Sequence, residues 1–178
     1  HYYEVSSEVI TITLVPPTDH LAKVYIDTPD GAAITSKTEW MEGSTIKIID
    51  ENRSENLNAK TSIRGRGNST WGNPKKPYAL KLDSKAEVLG MPQHKRWVLL
   101  ANWLDHSMIR NTVAFDIAHT IEKAWREKGL EPGIPWNVHG QNVELVVIDK
   151  DGVGHHVGNY FLCEQIKIHG NRRNIQEP

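Results

Sequence analysis

The stretch Ile63–Leu82, IRGRGNSTWGNPKKPYALKL, sets a glycine-rich, basic loop in front of a short alternating strand. Gly65 and Gly67 let the backbone approach a ligand closely, because glycine carries no Cβ. Arg64 and Arg66 supply planar, multidentate donors, and Ser69 and Thr70 add hydroxyls, a set suited to an anion such as phosphate. In Tyr78–Leu82, period-two alternation puts Tyr78, Leu80 and Leu82 on one face and Ala79 and Lys81 on the other. Lys75, Lys76 and Lys81 add positive charge close to the loop. The spacing matches neither familiar phosphate loop. Gly67 to Gly72 has the Walker interval, but Asn73 stands where lysine is required, and the kinase G-x-G-x-x-G spacing fails at Thr70. A tight structural turn with solvated arginines, followed by a lysine on an open sheet face, is the alternative reading of the same letters.

Working outward toward the amino terminus, Val9–Val15 alternates apolar residues with threonine until Pro16-Pro17 stops it, the pattern of a half-buried strand. Ala22–Ile26 and Thr45–Ile49 read as two further strands, with a Pro-Asp-Gly turn after the first and a polar loop, Asp50–Asn58, after the second. Toward the carboxyl terminus, Trp97–Ala101 is a short apolar run. Asp105 or Ser107 can cap one long helix, roughly His106–Lys128, which Gly129 closes and Pro132 follows. Its residues Ile109, Val113, Ile117, Ile121 and Trp125 step by four, a stripe expected to face the core. Arg110 falls inside that arc and calls for either a route to the surface or an ion pair or ligand contact. Val143–Ile148 and Gly158–Ile168 form a hairpin across Asp149-Lys-Asp-Gly152. The expected fold class is α+β, a mainly antiparallel sheet carrying one long packed helix.

Composition removes several function classes. With 21 basic and 22 acidic residues among 178, the formal net charge is −1 and does not favour nucleic acid or an anionic membrane. No apolar run reaches the length of a membrane span, and the first residues lack the build of a signal peptide. The single cysteine, Cys163, excludes an internal disulfide framework and reads as a buried small hydrophobe in Tyr160-Phe-Leu-Cys. Nine histidines form no metal signature, and His155-His156, adjacent in a hairpin, face opposite sides. The Asp149–Gly152 letters resemble a calcium loop but lack its remaining ligands, so a turn is expected. No G-x-S-x-G supports a serine hydrolase.

Three blocks in order, Ile63-RGRGNSTWGNPKKPYALKL, Leu89-GMPQHKRWVLLANWLDHSMIRN and Gly158-NYFLCEQIKI, resemble the spore coat protein H (CotH) kinase family. The likeness runs from about Ala22 to the end. Residues 1–20 then read as a β lead-in or linker, and 21–178 as the amino-terminal part of a CotH kinase-like domain. The resemblance implies the small lobe of an atypical protein-kinase-like fold, with ATP and Mg²⁺ as reactants and serine-rich proteins outside the cytoplasm as acceptors. It also implies a secreted or cell-surface location.

Carried over residue by residue, it implies a nucleotide site at Arg64, Arg66, Gly67, Ser69, Thr70, Lys76 and Lys81, with Lys81 gripping phosphate. Glu164 and Ile166 would offer backbone groups to adenine, and the helix with Arg110 and Asn111 would pack on the small lobe. The family's later acidic motif, Trp-Asp-x-Asp followed by Phe-Gly, is absent. No metal ligand or catalytic residue is therefore expected in this chain, and on its own it is expected to be inactive. A competing expectation is a non-enzymatic surface module that uses Trp71, Trp97, Trp103 and Trp136 against polysaccharide or protein.

Overall fold

The computed structural model describes residues 21–130 and 136–170. The expected strand Val9–Val15 and Pro132 lie outside them. Seven strands close into a barrel: β1 (Ala22–Asp27), β2 (Met41–Ile49), β3 (Glu55–Gly65), β4 (Tyr78–Val88), β5 (Met91–Leu100), β6 (Gly140–Ile148) and β7 (Gly154–Glu164). Neighbours run β1-β2-β3-β4-β5-β7-β6. All pairs are antiparallel except β1 with β6, which closes the circle in parallel from Ala22↔Val143 to Asp27↔Ile148.

The interior follows from alternation. Val24, Ile26, Ile46, Ile48, Ile63, Leu80, Leu82, Trp97, Leu99, Val143, Leu145, Tyr160 and Leu162 are buried together. Tyr78, Leu80 and Leu82 do share the inward face, with Tyr78 stacked on Tyr160 at 6.1 Å between ring centroids. Burial raises the pKa of both phenols, and for Tyr160 the proximity of Tyr78 adds to it. Cys163 is buried as expected, in a smaller cluster outside the barrel with Val98, Val138 and Phe161. The turn at Asp149–Gly152 is also as read, with Asp149 Oδ1 accepting from the amides of Asp151 and Val153.

The α+β expectation, a sheet with a core-packed helix like the small lobe of a kinase, is corrected by this closed barrel. Two local misreadings caused it. Asp50–Asn58 is a tight turn followed by β3, because Asp50 Oδ1 accepts from the amides of Asn52 and Ser54 and ends the excursion within a few residues. The helix α1 (Arg110–Glu127) lies within the expected span but starts four residues later than His106, with Ile109 at its N-cap, Asp105 Oδ2 accepting from the Arg110 amide at 2.9 Å and Gly129 at φ 71° beyond its end. Its apolar stripe nevertheless faces outward: Ile109, Val113, Ile117, Ile121 and Trp125 are each 46–55% exposed.

The opposite side of α1 meets the barrel. There Phe115 stacks on Phe161, Thr112 Oγ1 accepts from Asn142, and Glu122 accepts from Asn137. His119 Nε2 lies 3.0 Å from the Val138 carbonyl. Polar bonds and one aromatic pair hold the helix, so the periodicity of the stripe was real and its assumed destination was not.

Candidate functional site

At the start of the loop between β3 and β4, Gly65 and Gly67 are required by packing within the chain. A Cβ on Gly65 would stand 2.2 Å from the Trp71 ring, and one on Gly67, at φ +87°, would stand 2.1 Å from Thr70 Oγ1. Trp71 and Thr70 therefore occupy the space that the sequence reading gave to a ligand. The Arg66 amide donates to the Pro77 carbonyl, and Lys76 Nζ donates to the Trp71 carbonyl at 2.7 Å, so the loop closes on itself.

Beside this loop lies a cleft of about 350 Å³. The loop contributes Arg66, Thr70, Asn73 and Lys75, the end of β5 contributes Leu100, the segment that follows it contributes Ala101 to Asp105, and the first turn of α1 contributes Arg110 and Asn111. Lys75 Nζ bonds the Asn159 carbonyl and sits 4.6 Å from the centroid of the Tyr160 ring, and burial holds its pKa below the usual lysine value. Arg110 Nε is 3.5 Å from Asp105 Oδ1, with the Arg110 side chain 80% exposed, so the two readings of this arginine merge into an exposed ion pair at the rim.

Among the described residues, Asp105 is the one carboxylate lining the cleft. Its carboxyl is held below the usual range first by the Ser107 hydroxyl at 2.6 Å, against the opposing effect of desolvation, and then by the amides of Arg110 and Ser107 and the Arg110 charge. Asn102, at φ 48°, accepts from Asn111 through Oδ1, while its buried Nδ2 has no partner. Trp103 and Leu104 form an exposed apolar wall.

The expected site residues separate. Arg66 and Thr70 line the cleft; Arg64, Gly67, Ser69, Lys76 and Lys81 do not. Arg64 and Lys81 face outward from neighbouring strands, where Lys81 is in register with Arg96 of β5. Glu164 is buried at 2% exposure, accepts from His139 N and faces His139 Nδ1 at 2.9 Å, and its own amide donates to the His139 carbonyl. Ile166 is exposed beyond the end of β7.

Asn73 and Asn102 were missed as lining residues, Lys75 was read only as charge near the loop, and Trp103 only as a surface for polysaccharide or protein. The adjacent Lys75-Lys76 pair did carry a signal, since neighbouring side chains diverge and only one of them can reach the loop's own carbonyls. Of the four tryptophans considered for a binding platform, Trp97 is buried, Trp71 rests on Gly65, Trp136 packs against the outer cluster, and Trp103 is exposed.

Mg²⁺ needs several oxygen ligands held together. Among the described residues no group of three or more His, Cys, Asp or Glu is placed to hold a metal. Asp105 is already engaged by Ser107 and Arg110. No described helix is long and apolar enough to cross a membrane. A family model described as CotH kinase protein matches residues 63–178, which is more than half of the chain. No curated protein matches it.

Proposed function

The chain belongs to the CotH kinase protein family, and from that premise we propose that the cleft beside the glycine-rich loop receives the phosphates of ATP. The carrying observation is the convergence of Arg66, Lys75 and Arg110, from two separate segments, on one cleft with a single carboxylate. Guanidinium and ammonium donors of this kind make charge-assisted bonds to phosphate oxygens. The unpartnered Nδ2 of Asn102 supplies a further donor whose burial without an acceptor is otherwise unfavourable. Trp103, Leu104 and Leu100 give the base or ribose an apolar wall.

In this reading the chain is the nucleotide-binding part of a CotH-like kinase that carries a phosphoryl group from ATP to serine-rich surface proteins. The acceptor class and the location follow from the family resemblance. The residues named here bind and orient phosphate.

Calorimetric titration of the 178-residue chain with ATP tests the assignment. Arg66→Gln is expected to weaken binding by about tenfold, the loss of one charged hydrogen bond, and Lys81→Ala is expected to leave it unchanged. An unaltered affinity in Arg66→Gln, or a loss confined to Lys81→Ala, would remove the phosphates from the cleft.

A further inference from the structure

A second group of cations stands on the outer wall of the barrel. Arg64 of β3 and Arg96 of β5 both lie against the indole of Trp40, at 4.6 and 4.7 Å from guanidinium carbon to ring centroid. Lys81 of β4 lies between their strands, paired with Ser62 on one side and Arg96 on the other, so its side chain shares their outward face. Among the described residues none of the three forms an ion pair with a carboxylate. Arg64 Nη1 donates to the Thr38 carbonyl at 2.9 Å, but its Nε is buried with no acceptor.

Two like charges held on one indole repel each other. The Arg96 pKa is lowered first by desolvation and then by the Arg64 charge. Such an arrangement lacks an anion, which would satisfy the orphaned donor and cancel the repulsion at once.

We propose that Arg64 and Arg96, held against Trp40, form with Lys81 on the same outward face a second anion site that receives a phosphorylated side chain of a protein. Three positive charges match the near-dianionic charge of a phosphate monoester better than the single charge of a carboxylate. Two guanidinium forks match its oxygens. The site is the outside of a sheet and forms no part of the cleft, so it does not enclose a free ion; a phosphate presented on a polypeptide brings flanking contacts with it. The site stands independently of the nucleotide reading, because the two share no lining residue.

Fluorescence anisotropy on the full chain decides it, with a labelled Gly-Ser peptide carrying one phosphoserine and its unphosphorylated twin as probes. The phosphopeptide is expected to bind at least about tenfold more tightly, with Arg96→Gln and Lys81→Gln each weakening it about fivefold to tenfold, as for a charged hydrogen bond. Arg96→Lys should retain part of the affinity, and unchanged melting temperatures would show that these variants stay folded. ATP should not displace the peptide, and Arg66→Gln should leave it bound. Equal affinity for the two peptides, no effect of Arg96→Gln in a folded variant, or displacement by ATP would each overturn the proposal. Inorganic phosphate competing at the same concentration as the phosphopeptide would do so too, since the site would then be one for the free ion. Loss of ATP binding in Arg66→Gln with the peptide retained separates the fate of this site from that of the cleft.

Discussion

Arg66, Lys75 and Arg110 line the cleft, while Arg64, Lys81 and Arg96 stand on the outer wall, and the two sets are held by different means. The cleft cations lean on acceptors of the chain: Lys75 on the Asn159 carbonyl and Arg110 on Asp105. The wall cations lean mainly on an aromatic ring and on each other's strands. Arg64 and Arg66 are two positions apart, a spacing that would keep them on one face of a continuing strand. They part because β3 ends at Gly65 and the chain turns through Gly67 at positive φ. One short turn thus divides a single basic segment between two surfaces of different chemistry.

The largest test of this division is to damage the turn. Gly65→Val puts a branched side chain where the Trp71 ring lies, within 2.2 Å of the new Cβ. Overpacking of this kind is expected to cost about 2–3 kcal/mol and to lower Tm by roughly 5–10 °C, read by thermal unfolding, with loss of both ATP and phosphopeptide binding. A variant that melts like the wild type and keeps both ligands would mean that the turn does not separate the two sets. Removing the ring of the wall site is the next step. Trp40→Ala is expected to lose about 1–2 kcal/mol of stability from two cation–π contacts and to weaken the phosphopeptide while sparing ATP.

The cleft carries a carboxylate with a pH signature on the acid side. Asp105 titrates below its unfolded value near 3.9, so its contribution is complete above that value. It is lost as the pH falls through the depressed folded pKa. Denaturant midpoints compared between pH 7 and pH 3 should fall more for the wild type than for Asp105→Asn; an equal fall would disconnect the carboxylate from acid stability. The smallest expected effect is a coupling energy. Stability changes in Arg66→Gln and Arg96→Gln should add within about 0.5 kcal/mol in the double variant, as for residues that share no partner, and a larger deviation would join the two sets into one network.

Much of this could be read in the letters. The alternation of Tyr78–Leu82 gave the inward leucines and the outward Lys81, and Gly129 marked the carboxyl end of α1. Barrel closure could not be read, because a parallel contact between Ala22 and Val143 leaves no local pattern. The orientation of α1 was also hidden. Its docking side, through Thr112, Phe115, His119 and Glu122, is mostly polar and draws its hold from partners on β6 and β7 and the segment before them. For the site, residue types announced an affinity for anions, but the sequence does not show which cations share a cavity. Trp40 was silent for the same reason, since its role depends on a loop that crosses from Ser36, whose carbonyl accepts from the Gly65 amide.

The parallel seam between β1 and β6 also sets an order of assembly. β1 meets its closing partner roughly 120 residues later in the chain, and contacts at that separation bear a large loop-closure entropy and form late. During synthesis, β1 to β5 can pair as successive neighbours, yet they leave two open edges and an uncovered row of leucines and isoleucines until β6 emerges. Pulse-labelled hydrogen exchange during refolding should therefore protect the β2–β3 and β4–β5 amides before those of the seam. The strands made last convert an adhesive open sheet into a barrel without edges.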